Sequence, residues 1–132
     1  MAIAVDPNQK IPFVLKRDKD LPKEQQTIFY SRVMSVRRMQ ELASQYEKKG
    51  PKVTMAFTLD NLTKLINEFL AGWDNFHLSD GTTAVFELEP SSNGTKTISR
   101  RSWAYIDSLE FITELFQGCF EANQLGETTI KN

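Results

Sequence analysis

The residues with the most chemical potential fall in one stretch, GWDNFHLSDGTTAVFE (72–87), which sets the only histidine, His77, between Asp74 and Asp80 and ends at Glu87. Three chemistries could draw on such residues: a calcium loop, a zinc site or acid–base catalysis. In a calcium-loop register Asp80, Gly81 and Glu87 take the fifth, sixth and twelfth positions, but Phe76 and Leu78 then occupy the first and third, where a hard cation needs oxygen. Zinc would have to be held by a single imidazole with carboxylates or water, because the chain has one His and one Cys. Asp74 or Asp80 beside His77 leaves a general-base role open, as in a small hydrolase or transferase. No nucleophile motif, Gly-rich phosphate loop or second acid–base group stands at a recognisable spacing to complete it. A structural turn uses the same residues more simply. Gly72 ends a helix in a left-handed conformation, Trp73 and Phe76 fold back onto its last turn, Asp74 and Asn75 bond their own backbone, and Asp80-Gly81 turns the chain into TTAVFE. On that basis His77 is a partly exposed surface residue, and no catalytic residue, metal or cofactor is expected.

The elements that position this stretch follow from periodicity. IPFVLK (11–16) and TIFYSRVM (27–34) are β-rich and flank the charged loop RDKDLPKEQQ, which predicts a hairpin. Ile28, Tyr30 and Arg32 share one strand face, and Phe29, Ser31 and Val33 the other; neither is cleanly polar, so both are expected to be covered. Ser35 is placed to cap a helix over VRRMQELASQYEKK, with Val36, Met39, Leu42, Ala43 and Tyr46 on its apolar face and Gly50-Pro51 as its stop. A second helix starts near Thr58 or Asp60 and carries Leu59, Leu62, Leu65, Ile66, Phe69 and Leu70 as far as Gly72; between the two, KVTMAF alternates weakly and reads as extended. TAVFELE and TISRR flank the turn SSNGTK as a second hairpin. Last, Tyr105, Ile106, Leu109, Ile112, Leu115, Phe116, Cys119 and Phe120 keep a helical period over about four turns from a start at Ser102 or Asp107. The predicted fold is α+β: a small N-terminal β-hairpin and a second short hairpin packed with three amphipathic helices. It forms a single domain over residues 11–125, between a flexible N-terminal arm (1–10) and a flexible tail (126–132).

With 132 residues, 40% of them hydrophobic and nine of them Phe, the chain can bury one modest core. A formal charge of -1 gives no reason to expect nucleic acid. The charge is unevenly spread: residues 1–57 carry 11 basic and 6 acidic side chains, residues 58–132 carry 5 and 11. Either the two halves lie against each other, or they present oppositely signed faces to partners or to other copies of the chain. Arg37-Arg38 and Arg100-Arg101 stand beside helix starts with acidic neighbours, the setting of solvated structural charges rather than of a phosphate site. Cys119, in an apolar run, reads as a small core hydrophobe. No membrane-length apolar run and no basic segment followed by an apolar stretch occurs at MAIAVDPNQK, which leads to the expectation of a cytosolic protein. Phe111 stands off the Leu109/Ile112/Phe116 stripe between Glu110 and Glu114, as an exposed aromatic that invites another protein. The candidate partner contacts are therefore Phe111, Phe116, Glu110 and Glu114, with Trp73 and Phe76 from the aromatic loop.

The layout also carries a likeness. The segment KIPFVLK, the loop LPKEQQ, a β-run, a helical middle ending in GWDNF, a DG turn followed by VFE and a last helix ending FEANQL together resemble the small tail assembly chaperones of long-tailed bacteriophages. The likeness extends from about Lys10 to Asn132 and rests on the pattern of patches, since the family has no catalytic signature. It implies a non-enzymatic protein of the host cytoplasm that binds the tape-measure protein, keeps that protein's long hydrophobic helix soluble, recruits tail-tube subunits and is absent from the finished particle. Broad amphipathic helices are suited to such capture, which proceeds by laying a helix into an apolar groove. A structural virion protein, such as a head-tail connector or tail terminator, is the alternative: its N-terminal arm and its RDKDLPKEQQ loop would order only against neighbouring subunits.

Overall fold

Phe29 and Ser31 point to one side of a strand, and most of the molecule is arranged to cover that side. In the computed structural model, strands β1 (Lys10–Phe13) and β2 (Ile28–Arg32) pair antiparallel, with Ile11 opposite Ser31 and Phe13 opposite Phe29. Strand β3 (Leu70–Asp74) takes the other edge of β2, giving a three-stranded sheet in the order β1-β2-β3. Helix α1 (Val36–Lys49) follows β2, and helix α2 (Leu59–Phe69) leads directly into β3. Strands β4 (Leu88–Pro90) and β5 (Lys96–Ile98) form a separate hairpin, followed by the short helix α3 (Arg100–Trp103) and the long helix α4 (Leu109–Lys131). Helix α4 lies across β1 and β2 and packs against α2. The fold is thus α+β, as the sequence predicts.

The structure describes residues 2–4, 6, 8–49, 59–92 and 94–131, with side chains except at 43–49, 59, 60 and 125–131. The expectations for Val5, Gly50-Pro51, the KVTMAF segment and Thr58 lie outside the described residues, as do those for the side chains of Ala43, Tyr46, Leu59 and Asp60.

Local signals placed several elements well. The Ser35 hydroxyl accepts the Arg38 backbone N–H at 3.1 Å, so α1 begins at its predicted cap. The β1–β2 and β4–β5 hairpins both form, although their strands are shorter than predicted. The predicted helix end at Gly72 is incorrect. Helix α2 stops at Phe69 and the chain enters β3 at once, because the open edge of β2 offers backbone partners that a further helical turn would forgo. Gly72 is not a left-handed cap but a strand residue with φ 155°, set opposite Tyr30 and facing the Phe86 ring. A register shift between Tyr30 and Ser31 leaves Ala71 as the extra residue of a bulge.

The last helix also begins later than either predicted cap. Ser99 caps α3, accepting the Ser102 N–H at 3.1 Å, and Tyr105 and Ile106 sit in a 3-10 turn. Ser108 caps α4, its hydroxyl accepting the Phe111 N–H at 3.1 Å. At the far end, α4 extends to Lys131, beyond the predicted stop near Leu125.

Arg32 compensates for the abrupt turn between α2 and β3. Its Nη1 donates to the carbonyls of Glu68 at 3.0 Å, Leu70 at 3.1 Å and Asn67 at 3.4 Å, placing a cation on the carbonyls that a helix end leaves without partners. Asn123 on α4 fixes the exit of β2. Its Oδ1 accepts the Met34 N–H at 2.8 Å, and its Nδ2 donates to the Cys119 carbonyl at 2.9 Å, the Ser31 hydroxyl at 3.1 Å and the Arg32 carbonyl at 3.2 Å. Between these anchors, Phe29, Leu42, Ile66, Leu70, Ile106, Ile112, Leu115, Phe116 and Cys119 fill the centre of the core.

Candidate partner-binding surface

The stretch 72–87 makes a turn, and its His, Asn and Asp side chains all have structural partners. The His77 ring nitrogens meet Asn75 Oδ1 at 2.9 Å and Thr83 Oγ1 at 3.3 Å, and His77 bridges Thr83 across the loop. Asp74 accepts the Tyr30 hydroxyl at 2.6 Å, an interaction that raises the Tyr30 pKa. Asp80 accepts the Thr82 N–H at 2.8 Å, which holds its carboxyl below the usual range, and the Gly81 N–H bonds the Leu78 carbonyl. The predicted Asp80-Gly81 turn is therefore correct. Asp74 and Asn75, by contrast, do not bond their own backbone. Asn75, at φ 58°, reaches across to the carbonyls of Glu24 and Gln26 at 3.0 Å each, tying this turn to the β1–β2 loop. Among the described residues, no group of three or more His, Cys, Asp or Glu side chains could hold a metal ion.

The six predicted partner contacts separate into two sets. Trp73 is 8% exposed; its indole N–H donates to the Ala84 carbonyl at 2.8 Å and its ring meets Phe76 and Phe86 edge-on. It packs into the core because β3 is a strand, not the loop that would have folded it onto α2. Phe116 is 1% exposed and equally unavailable. These two are core residues, and the prediction that they meet a partner is corrected. Phe76 and Phe111 are half-buried and belong to one aromatic cluster with Phe29, at centroid distances of 5.3 Å (Phe29–Phe76), 5.7 Å (Phe76–Phe111) and 6.0 Å (Phe29–Phe111). Glu110 is exposed and Glu114 partly so.

Phe111 is less exposed than its place off the apolar stripe implies, because a residue that sequence inspection overlooks lies on it. The Arg17 guanidinium sits 4.9 Å from the Phe111 ring centroid and forms a two-point ion pair with Glu114, Nη2 to Oε2 and Nε to Oε1 at 3.4 Å. Nothing local in the sequence marks Arg17, since its partner lies 97 residues away. Arg38 bonds Glu68 in the same manner at 3.0 Å, so the basic first half and the acidic second half of the chain are joined internally at two places.

Leu109 departs from expectation in the opposite direction. Predicted for the core stripe, it is 61% exposed in the first turn of α4. Around α4, Leu109 and Phe111 are two positions apart and face nearly opposite ways, with Thr113, Glu110 and Glu114 on the arc between them. The result is an acidic strip, Glu110 and Glu114, with the Leu109 side chain at one margin and the half-buried Phe111 ring at the other. Beside it, a cleft of about 30 Å³ between Leu15, Lys16 and Lys19 of the β1–β2 loop and Glu114, Gln117 and Gly118 of α4 has room for a water molecule, far below the volume that a small-molecule substrate needs.

No protein-family model, curated protein or solved structure matches the chain. No helix among the described residues is long and apolar enough to cross a membrane.

Proposed function

We propose that the chain is a non-enzymatic tail assembly chaperone of long-tailed bacteriophages, which binds the tape-measure protein in the host cytoplasm and recruits tail-tube subunits. The strip at the start of α4 supports this function most directly: Glu110 and Glu114 lie between Leu109, 61% exposed at one margin, and the half-buried Phe111 ring at the other. An exposed large hydrophobe bordered by charge, on a helix whose opposite face is fully packed, fits a contact surface for another polypeptide better than a site for chemistry. The aromatic cluster beneath it gives the strip a firm base. The surface is narrower than the sequence predicts, because Phe116 and Trp73 are used within the chain.

Co-expression with a tape-measure fragment tests this function. The wild-type chain is expected to keep the fragment soluble and to co-purify with it. Phe111→Glu, which places a third carboxylate at a half-buried position of the strip, is expected to abolish co-purification while circular dichroism still reports a folded domain. A folded Phe111→Glu variant that binds the fragment normally would overturn the assignment of this surface.

A further inference from the structure

The β1–β2 loop contributes almost nothing to the core between Lys16 and Gln25: neither of its 3-10 turns has a buried residue, and Leu21 is exposed. The loop is held by polar bonds of its own and, at its far end, by Asn75, which donates to the Glu24 and Gln26 carbonyls. Gln26 Nε2 donates to the Leu21 carbonyl at 3.1 Å and Asp18 Oδ2 accepts the Thr27 N–H at 3.1 Å, so the loop keeps its shape without leaning on α4. Where it does meet α4, a water-sized cleft separates the two, and Arg17 bridges the gap. An exposed ion pair and a cation over a half-buried ring are weak fastenings, and a segment with so little buried apolar area opens at low cost.

Arg17 satisfies Phe111 and Glu114 together, as a basic residue of an incoming amphipathic helix would. We propose that the β1–β2 loop is an autoinhibitory strap, in which Arg17 occupies the Phe111–Glu114 notch until an amphipathic helix bearing its own Lys or Arg displaces it. This inference rests on the chaperone function proposed above and specifies its client chemistry. The client brings an apolar side chain to Phe111 and a cation to Glu114; an acidic helix would leave Glu114 facing like charge and would not displace Arg17. The closed strap keeps the aromatic cluster from meeting wrong partners while no client is present.

The test uses the full chain and a labelled synthetic amphipathic peptide of about 20 residues, long enough to form a helix, with a leucine face flanked by arginines. A second peptide carries glutamate in place of the arginines. Removing the competitor should raise affinity by the fraction of time the strap is closed, so Arg17→Ala is expected to bind the arginine peptide about tenfold more tightly than wild type in fluorescence anisotropy. Lys23→Ala removes an equal charge from the same loop without touching the notch and should leave affinity unchanged. Glu114→Gln should erase the preference for the arginine peptide over the glutamate one.

Equal or weaker binding by Arg17→Ala would overturn the strap, as would equal gains in Arg17→Ala and Lys23→Ala. So would dimerisation of Arg17→Ala without peptide in sedimentation, because the notch would then be a seat for a second copy. The two proposals fail separately. If tape-measure solubility is rescued but Arg17→Ala behaves as wild type, the strap alone is wrong. If the peptide results hold but no tape-measure fragment is rescued, the chaperone identity is wrong and a different basic helix is the client.

Discussion

The start and the middle of helix α4 are held by different physics. Near its start, Phe111 joins Phe29 and Phe76 in an edge-to-face cluster that Arg17 closes from outside. Further along, Gly118 lets the Phe13 ring lie against the helix backbone, Cys119 is sealed, and Asn123 makes four hydrogen bonds. Ring packing is tolerant: an aromatic edge can exchange one neighbour for another with little loss, and an exposed guanidinium can be replaced by another cation. A buried amide with four partners has one acceptable arrangement, because any shift leaves a donor or acceptor without a partner. The molecule is specified tightly where α4 meets the exit of β2, and it is adaptable where a partner is expected.

That contrast can be broken at its rigid end first. Asn123→Ala leaves the Met34 N–H buried without its partner and strips the Ser31 hydroxyl and the Arg32 carbonyl of a donor, and is expected to cost about 3 kcal/mol in urea unfolding, a large share of the total for a domain of this size. A loss below 1 kcal/mol would show that the two regions are equally tolerant. Gly118→Ala comes next. A Cβ there would stand 2.3 Å from the Phe13 ring, so the substitution should cost about 1–2 kcal/mol although alanine favours the helix. In a Phe13→Ala background the obstruction is gone and the same change should stabilise by up to about 1 kcal/mol. A penalty of the same size in both backgrounds would show that the ring is not its cause.

The smallest effect at neutral pH belongs to Cys119. Burial pushes its thiol pKa up to about 12 from an ordinary 9.0, so thiol reagents at pH 8 are expected to label the protein only as fast as it unfolds. Because the folded value is the higher one, the contribution of this group to stability is constant below about pH 9 and is lost as pH rises toward 12. Rapid labelling of folded protein would place the middle of α4 among the adaptable regions.

Much of the local structure is legible in the sequence. The cap at Ser35, the turn at Asp80-Gly81 and the β4–β5 hairpin depend on residues a few positions apart, and their chemistry can be read directly. Strand β3 escapes such reading because LAGW looks like the end of an amphipathic helix; only the vacant edge of β2, some 40 residues earlier, makes it a strand. The surface is legible in part. Glu110 is exposed and Phe111 does mark a boundary, but its cover, Arg17, is 97 residues distant. Leu109 misleads for a further reason. It fits the period of the apolar stripe, yet it lies in the first turn of α4, at the margin of the core.

Arg32 belongs to β2 and closes the end of α2, whose last carbonyls would otherwise have to find water beside a strand that begins one residue later. Helix and sheet therefore share a single fastening. Neither can persist for long when the other has melted, so α2 and the three-stranded sheet are bound into one cooperative folding unit, and Arg17 can leave its notch without loosening it.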